Sequence, residues 1–152
     1  MHADHTPIPV ESDFIYPGWD GLDERSAMRT FLGKTSAEAE EMFRSNFLRH
    51  QEDLTYMGAA AFRFYVLPTI RYLLSDAATG DAEAASTFPR MIDSRLCSDE
   101  EALLPVLPAI LDAIRQMLAD FDRYGCLPDI YGDLPTRYRW LADRLEKAGE
   151  RG

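Results

Sequence analysis

The sequence predicts an all-α fold, a single compact domain of five to seven helices packed around one buried, proline-kinked helix. Three observations predict it. Apolar residues recur at helical spacing through most of the chain, no period-2 run long enough for a strand is present, and residues 52–75 form one dense apolar stretch. At about 100° per residue, Phe62, Val66, Ile70 and Leu73 share one side of that stretch, and Phe64, Leu67 and Leu74 widen the arc. A helix apolar over most of its circumference belongs inside a domain. Gly58 can start it, and Ala59 to Ala61 favour it. Arg63 and Arg71 cut the apolar run below the roughly 18 residues a membrane span needs.

Pro68 lacks an N–H and clashes with the carbonyl of Phe64, so a kink or a break is expected there. Arg63 projects near Leu67, Ile70 and Leu74. A buried guanidinium needs a partner, and Glu52 and Asp53 are placed to supply a structural ion pair. The alternative is that Arg63 faces a pocket for an anionic ligand, with Arg71, Tyr65 and Tyr72 around it. Tyr65 and Tyr72 otherwise read as tyrosines at the core edge.

The first 24 residues contain Pro7, Pro9, Pro17, Gly18 and Gly21 and predict an extended arm. Tyr16 and Trp19 are expected to anchor it or to form an exposed recognition patch. His2, Asp4 and His5 suit a frayed terminus better than a copper or nickel site. The helical domain is expected over 25–148, with 149–152 a frayed tail. Leu22 to Leu32 predict a helix burying Ala27, Met28, Phe31 and Leu32, stopped by Gly33. Thr35 and Glu38 match a capping box. Behind it Phe43, Phe47, His50, Leu54 and Met57 trace one face, with His50 as a hydrogen-bonded core histidine and Glu40–Arg44 as an exposed pair.

Asp81 is an N-cap candidate, and Ala84, Ala85, Phe88, Met91, Ile92 and Leu96 mark the next helix, which Pro89 should kink or split. Ser98 to Glu101 read as a second capping box. A short helix to Leu104 and a long one from Pro105 follow, with Leu107, Leu111, Ile114, Leu118 and Phe121 as the seam and Gly125 as the stop. Residues 126–135 are loop. The last helix starts at Asp133 or Leu134 and lines up Leu134, Tyr138, Leu141, Leu145 and Ala148.

The chain has 152 residues and a formal net charge of −10. Residues 134–152 carry five basic and three acidic side chains, so that segment is +2 and residues 1–133 hold −12. Such acidity argues against nucleic acid and anionic membranes as partners and is compatible with a basic protein. Cys97 and Cys126 lack zinc spacing and are expected as reduced thiols. With no basic, apolar leader pattern, a cytoplasmic location is expected. Walker A, GxGxxG, GxSxG and HExxH patterns are absent, so no catalytic residue, metal or cofactor is assigned.

Tyr16-Pro17-Gly18, Phe31-Leu32-Gly33-Lys34-Thr35 and Ala61 to Pro68, with Glu52-Asp53-Leu54 and Met57, resemble a bacterial family of uncharacterised small proteins. The resemblance covers about residues 14–75. It implies a mainly helical protein and supplies no reaction, so no functional residue is carried over.

Three functions are consistent with these features. The first is an interaction protein, such as an inhibitor or immunity-type protein, meeting a basic partner through Glu38, Glu40, Glu41, Asp99, Glu100 or Glu101. The second is a small-ligand binder or enzyme with a pocket near Arg63 and Arg71. The third is a self-associating module using the long helix.

Overall fold

The computed structural model describes residues 7–15 and 21–152. Tyr16, Trp19 and the His2, Asp4, His5 group lie outside these residues. The described chain is all helical, with 82% of it in helix and no strand. The α-helices are α1 (Glu11–Phe14), α2 (Leu22–Phe31), α3 (Ser36–Ser45), α4 (Phe47–Thr55), α5 (Ala59–Leu74), α6 (Ala82–Ser98), α7 (Glu100–Leu103), α8 (Leu107–Ala119), α9 (Pro128–Tyr131) and α10 (Leu134–Arg151). Three 3-10 turns, Asp76–Ala78, Leu104–Val106 and Phe121–Tyr124, complete the connections. There are more helices than the expected five to seven because α1 and α9 form in stretches that read as arm and loop, and the stretch from Ser36 to Thr55 divides at Asn46.

α5 touches α1, α3, α4, α7 and α8, and ten of its sixteen residues are buried. It runs through Pro68 without the break considered possible there. α6 packs on α4 and α10, and α8 packs on α5 and α10. One hydrophobic core joins both halves of the chain, from Phe14 to Ala148.

Local chemistry explains most helix starts. Thr35 Oγ1 accepts from the Glu38 amide at 3.1 Å while the Glu38 carboxylate accepts from the Thr35 amide at 2.9 Å. Asp81 and Asp133 cap α6 and α10 through the Ala84 and Thr136 amides. The face from Phe43 to Met57 is not one helix. Asn46 ends α3 and caps α4 by accepting from the Arg49 amide, yet Phe43, Phe47, Leu54 and Met57 all stay buried. Ser98 does not start a helix: α6 runs on to it, and Asp99 precedes α7 without a side-chain capping bond because its carboxylate lies toward Arg95.

Two prolines stand inside helices. Pro89 has no N–H for the carbonyl of Ala85, and the Tyr138 hydroxyl donates to that carbonyl instead at 2.6 Å. The seam of α8 is turned slightly from expectation. Leu107, Ile110, Ala113, Ile114 and Met117 are buried, whereas Leu111 and Leu118 are half-buried, because α8 is wedged between α5 and α10. The predicted face of α10 is buried at all five positions, and the helix extends to Arg151 rather than fraying from Gly149.

The arm is not wholly extended. α1 buries Phe14 completely, and the Gly58 amide donates to the Phe14 carbonyl at 2.8 Å. A Cβ on Gly58 would sit 2.5 Å from the Asp13 carbonyl oxygen and 2.8 Å from the Phe14 carbonyl carbon. Backbone meets backbone here, so neither side can yield cheaply. Gly58→Ala is expected to cost about 1–3 kcal/mol in urea denaturation. Unchanged stability would show that the arm does not press on α5 at this point.

Candidate functional site

The buried guanidinium of this protein belongs to Arg95, not to Arg63. Arg95 lies over the ring of Phe62, 4.3 Å from its centroid. Its Nη2 donates to the carbonyls of Leu54, Thr55 and Met57 at 3.1, 3.1 and 2.9 Å, and Nη1 lies 3.9 Å from the Asp99 carboxylate. These carbonyls end α4 and lead into α5, so a cation meets the negative pole of a helix. Arg95 follows Phe88 and Ile92 at helical spacing, a signal readable in the sequence as a charge on the apolar face of α6.

Arg123 plays the corresponding part at the end of α5. It donates to the carbonyls of Leu73 and Ser75 at 2.6 and 3.0 Å and to Thr79 Oγ1 at 3.2 Å, and it lies over the Tyr124 ring.

The residues proposed as one pocket are not brought together. Arg71 pairs with Glu40 at 2.8 Å and also donates to Ser36. The Tyr65 hydroxyl is buried between the carbonyls of Phe31, at 2.9 Å, and Lys34, at 2.8 Å. Tyr72 donates to Asp81 at 2.5 Å. Arg63 alone lines a groove, of about 470 Å³, between the arm and α5. Among the described residues it makes no ion pair with Glu52 or Asp53. Glu52 is exposed, and Asp53 lies 3.6 Å from His50 Nδ1. His50 packs edge-on to Phe31 and Phe43, but its buried Nδ1 has no hydrogen-bond partner, unlike the bonded core histidine expected.

The acidic clusters read from the sequence are largely engaged within the molecule. Glu38 is in the capping box, whose bonds from Thr35 lower its pKa. Glu40 holds Arg71, Glu41 rather than Glu40 pairs with Arg44, Asp99 faces Arg95, and Glu100 pairs with Arg151 at 2.6 Å. Glu101 is exposed. A different acidic region emerges where the 75–83 and 120–126 segments meet, joined by the Gly80 amide on the Arg123 carbonyl at 2.9 Å. Asp76, Glu83, Asp120 and Asp122 are all exposed there and make no ion pair among the described residues. Arg123, the cation between them, is spent on carbonyls of α5 and on Thr79.

No group of three or more His, Cys, Asp or Glu with metal-binding geometry occurs among the described residues. Residues Glu100–Ala119 are apolar and long enough to pass for a membrane span. A 3-10 turn interrupts them at Leu104–Val106, and their apolar side is covered by α5 and α10. Cys97 is exposed and Cys126 half-buried, and both are free; burial raises the Cys126 thiol pKa.

No family model matches the chain, and neither a curated protein nor a solved structure matches it.

Arg95→Met would remove the side-chain donor that the carbonyls of Leu54, Thr55 and Met57 share. It is expected to cost about 3 kcal/mol or more, against about 0.5 kcal/mol for Arg63→Met, in paired urea titrations. Equal losses would return the structural role to Arg63.

Burial, with a smaller contribution from the Glu38 charge, pushes the Tyr65 hydroxyl up to about 12. The unfolded chain releases this proton near pH 10, at about the ordinary tyrosine value. The stability Tyr65 contributes is therefore complete below about pH 10 and is lost as pH rises through about 12. Denaturation curves between these values should fall less steeply for Tyr65→Phe than for the parent; parallel curves would contradict the burial of the hydroxyl.

Proposed function

We propose that the protein is an interaction protein that engages a basic partner, in the manner of an inhibitor or immunity-type protein. The observation that carries this is the exposed, internally unpaired set Asp76, Glu83, Asp120 and Asp122, gathered at one end of an acidic chain. Carboxylates that serve folding are consumed by caps and arginines, as Glu38, Glu40 and Glu100 are. Carboxylates left clustered and unpaired repel one another and are tolerated where a positive surface can neutralise them. The resemblance of residues 14–75 to small bacterial helical proteins and the two free thiols accord with a cytoplasmic role.

Such a surface steers association by long-range attraction. The test compares the parent with Asp76→Lys/Glu83→Lys/Asp120→Lys/Asp122→Lys in capture of basic proteins from the native host, followed by stopped-flow association with the purified partner. The on-rate of the parent should fall steeply with salt, and the quadruple variant should associate on the order of tenfold more slowly or worse. Its stability should change by only about 0.5 kcal/mol per site, since none of the four side chains makes a capping bond or an ion pair among the described residues. Reversal at Glu40 or Glu100 should instead lower stability while sparing the on-rate. Recovery of nothing but a nonspecific mixture, lost equally by every variant, would overturn the proposal.

A further inference from the structure

The groove beside Arg63 has two charged walls and an apolar floor. Arg63, on α5, and Asp13, on α1, both line it, together with the apolar residues Pro9, Phe64, Leu67 and Val106. Phe64 and Val106 are each only 8% exposed, so the floor is firmly set in the core. Arg63 and Asp13 make no ion pair with each other or with any other described residue. One Asp13 oxygen, Oδ2, accepts from the Val10 amide at 2.8 Å, which fixes the carboxylate.

Opposite charges that face one cavity without pairing constrain what the cavity accepts. A simple anion would gain from Arg63 and be opposed by Asp13; a simple cation would meet the reverse. A molecule carrying both charges satisfies both walls. The guanidinium presents a planar fork of donors that matches a carboxylate, and the Asp13 carboxylate accepts from an ammonium. The floor then takes an apolar side chain and releases the water lying on it. At about 470 Å³ the groove is within the range that encloses a small organic molecule. We propose that it binds a free amino acid with an apolar side chain, its carboxylate on Arg63 and its ammonium toward Asp13. The acidic end around Asp76 and Asp122 is a separate feature, so this site stands or falls independently of the basic partner.

Calorimetric titration of the full chain with L-phenylalanine, 3-phenylpropanoate and 2-phenylethylamine at neutral pH tests each contact. L-Phenylalanine should saturate a single site. Removing its ammonium, as in 3-phenylpropanoate, or its carboxylate, as in 2-phenylethylamine, should each weaken binding by about tenfold or more. Arg63→Gln should abolish the advantage of L-phenylalanine over 2-phenylethylamine, and Asp13→Asn its advantage over 3-phenylpropanoate. Asparagine keeps an oxygen for the Val10 amide, and thermal melts of both variants report whether the fold is retained. If 3-phenylpropanoate binds as tightly as L-phenylalanine, if Arg63→Gln leaves the ranking unchanged, or if L-phenylalanine does not saturate the folded chain, the proposal is overturned.

Discussion

The structure depends on how helix carboxyl ends are satisfied, and Arg95 is the principal case. Four carbonyls at the end of every α-helix lack an internal partner. At the end of α4 the carbonyls of Leu54 and Thr55 lie within reach of Arg95. Arg95 reaches across from α6, meets three carbonyls of the α4–α5 junction and lies on Phe62, so one side chain joins three helices. Its charge is compensated chiefly by oriented carbonyl dipoles, with Asp99 at the edge. Arg123 and Tyr124 repeat the arrangement on Leu73 at the end of α5, and Tyr65 does so for α2 through Phe31 and Lys34.

This divides what the sequence reveals from what it conceals. Amino ends are capped by neighbours: Thr35, Asp81 and Asp133 each serve an amide three residues on, and such short-range patterns are readable without a fold. The carboxyl ends of α2, α4 and α5 are also served by side chains 31 to 51 residues away, and no local pattern encodes that. The same division explains Arg63. Periodicity placed it correctly on a largely apolar helix, but which buried cation would find partners depended on how α6 crosses α4. The buried face of α10 was legible at every position because an amphipathic helix on a single surface states its orientation in its spacing. The pocket imagined around Arg71, Tyr65 and Tyr72 was not, because each of those groups is claimed by an element remote in sequence.

Charge follows a related logic. The basic residues of α10 are placed to fasten it, Arg144 to Asp93 on α6 and Arg151 to Glu100 on α7. Acidic groups near these arginines are thereby neutralised, while Asp76, Glu83, Asp120 and Asp122 make no ion pair among the described residues. The acidity of the chain is thus distributed by its own packing, with the turns at Asp76 and Asp122 left bare.

The bond from Tyr138 to Ala85 reaches further than its single hydroxyl suggests. Pro89 leaves α6 with a carbonyl that no residue of α6 can serve, and the donor arrives from 53 residues later. The Ala85 carbonyl of α6 thus receives its donor from α10, and carbonyls at the ends of α4 and α5 receive donors from α6 and from the Phe121–Tyr124 turn. Loosening α6, α10 or the Phe121–Tyr124 turn would take a side-chain donor from a carbonyl on a helix remote in sequence.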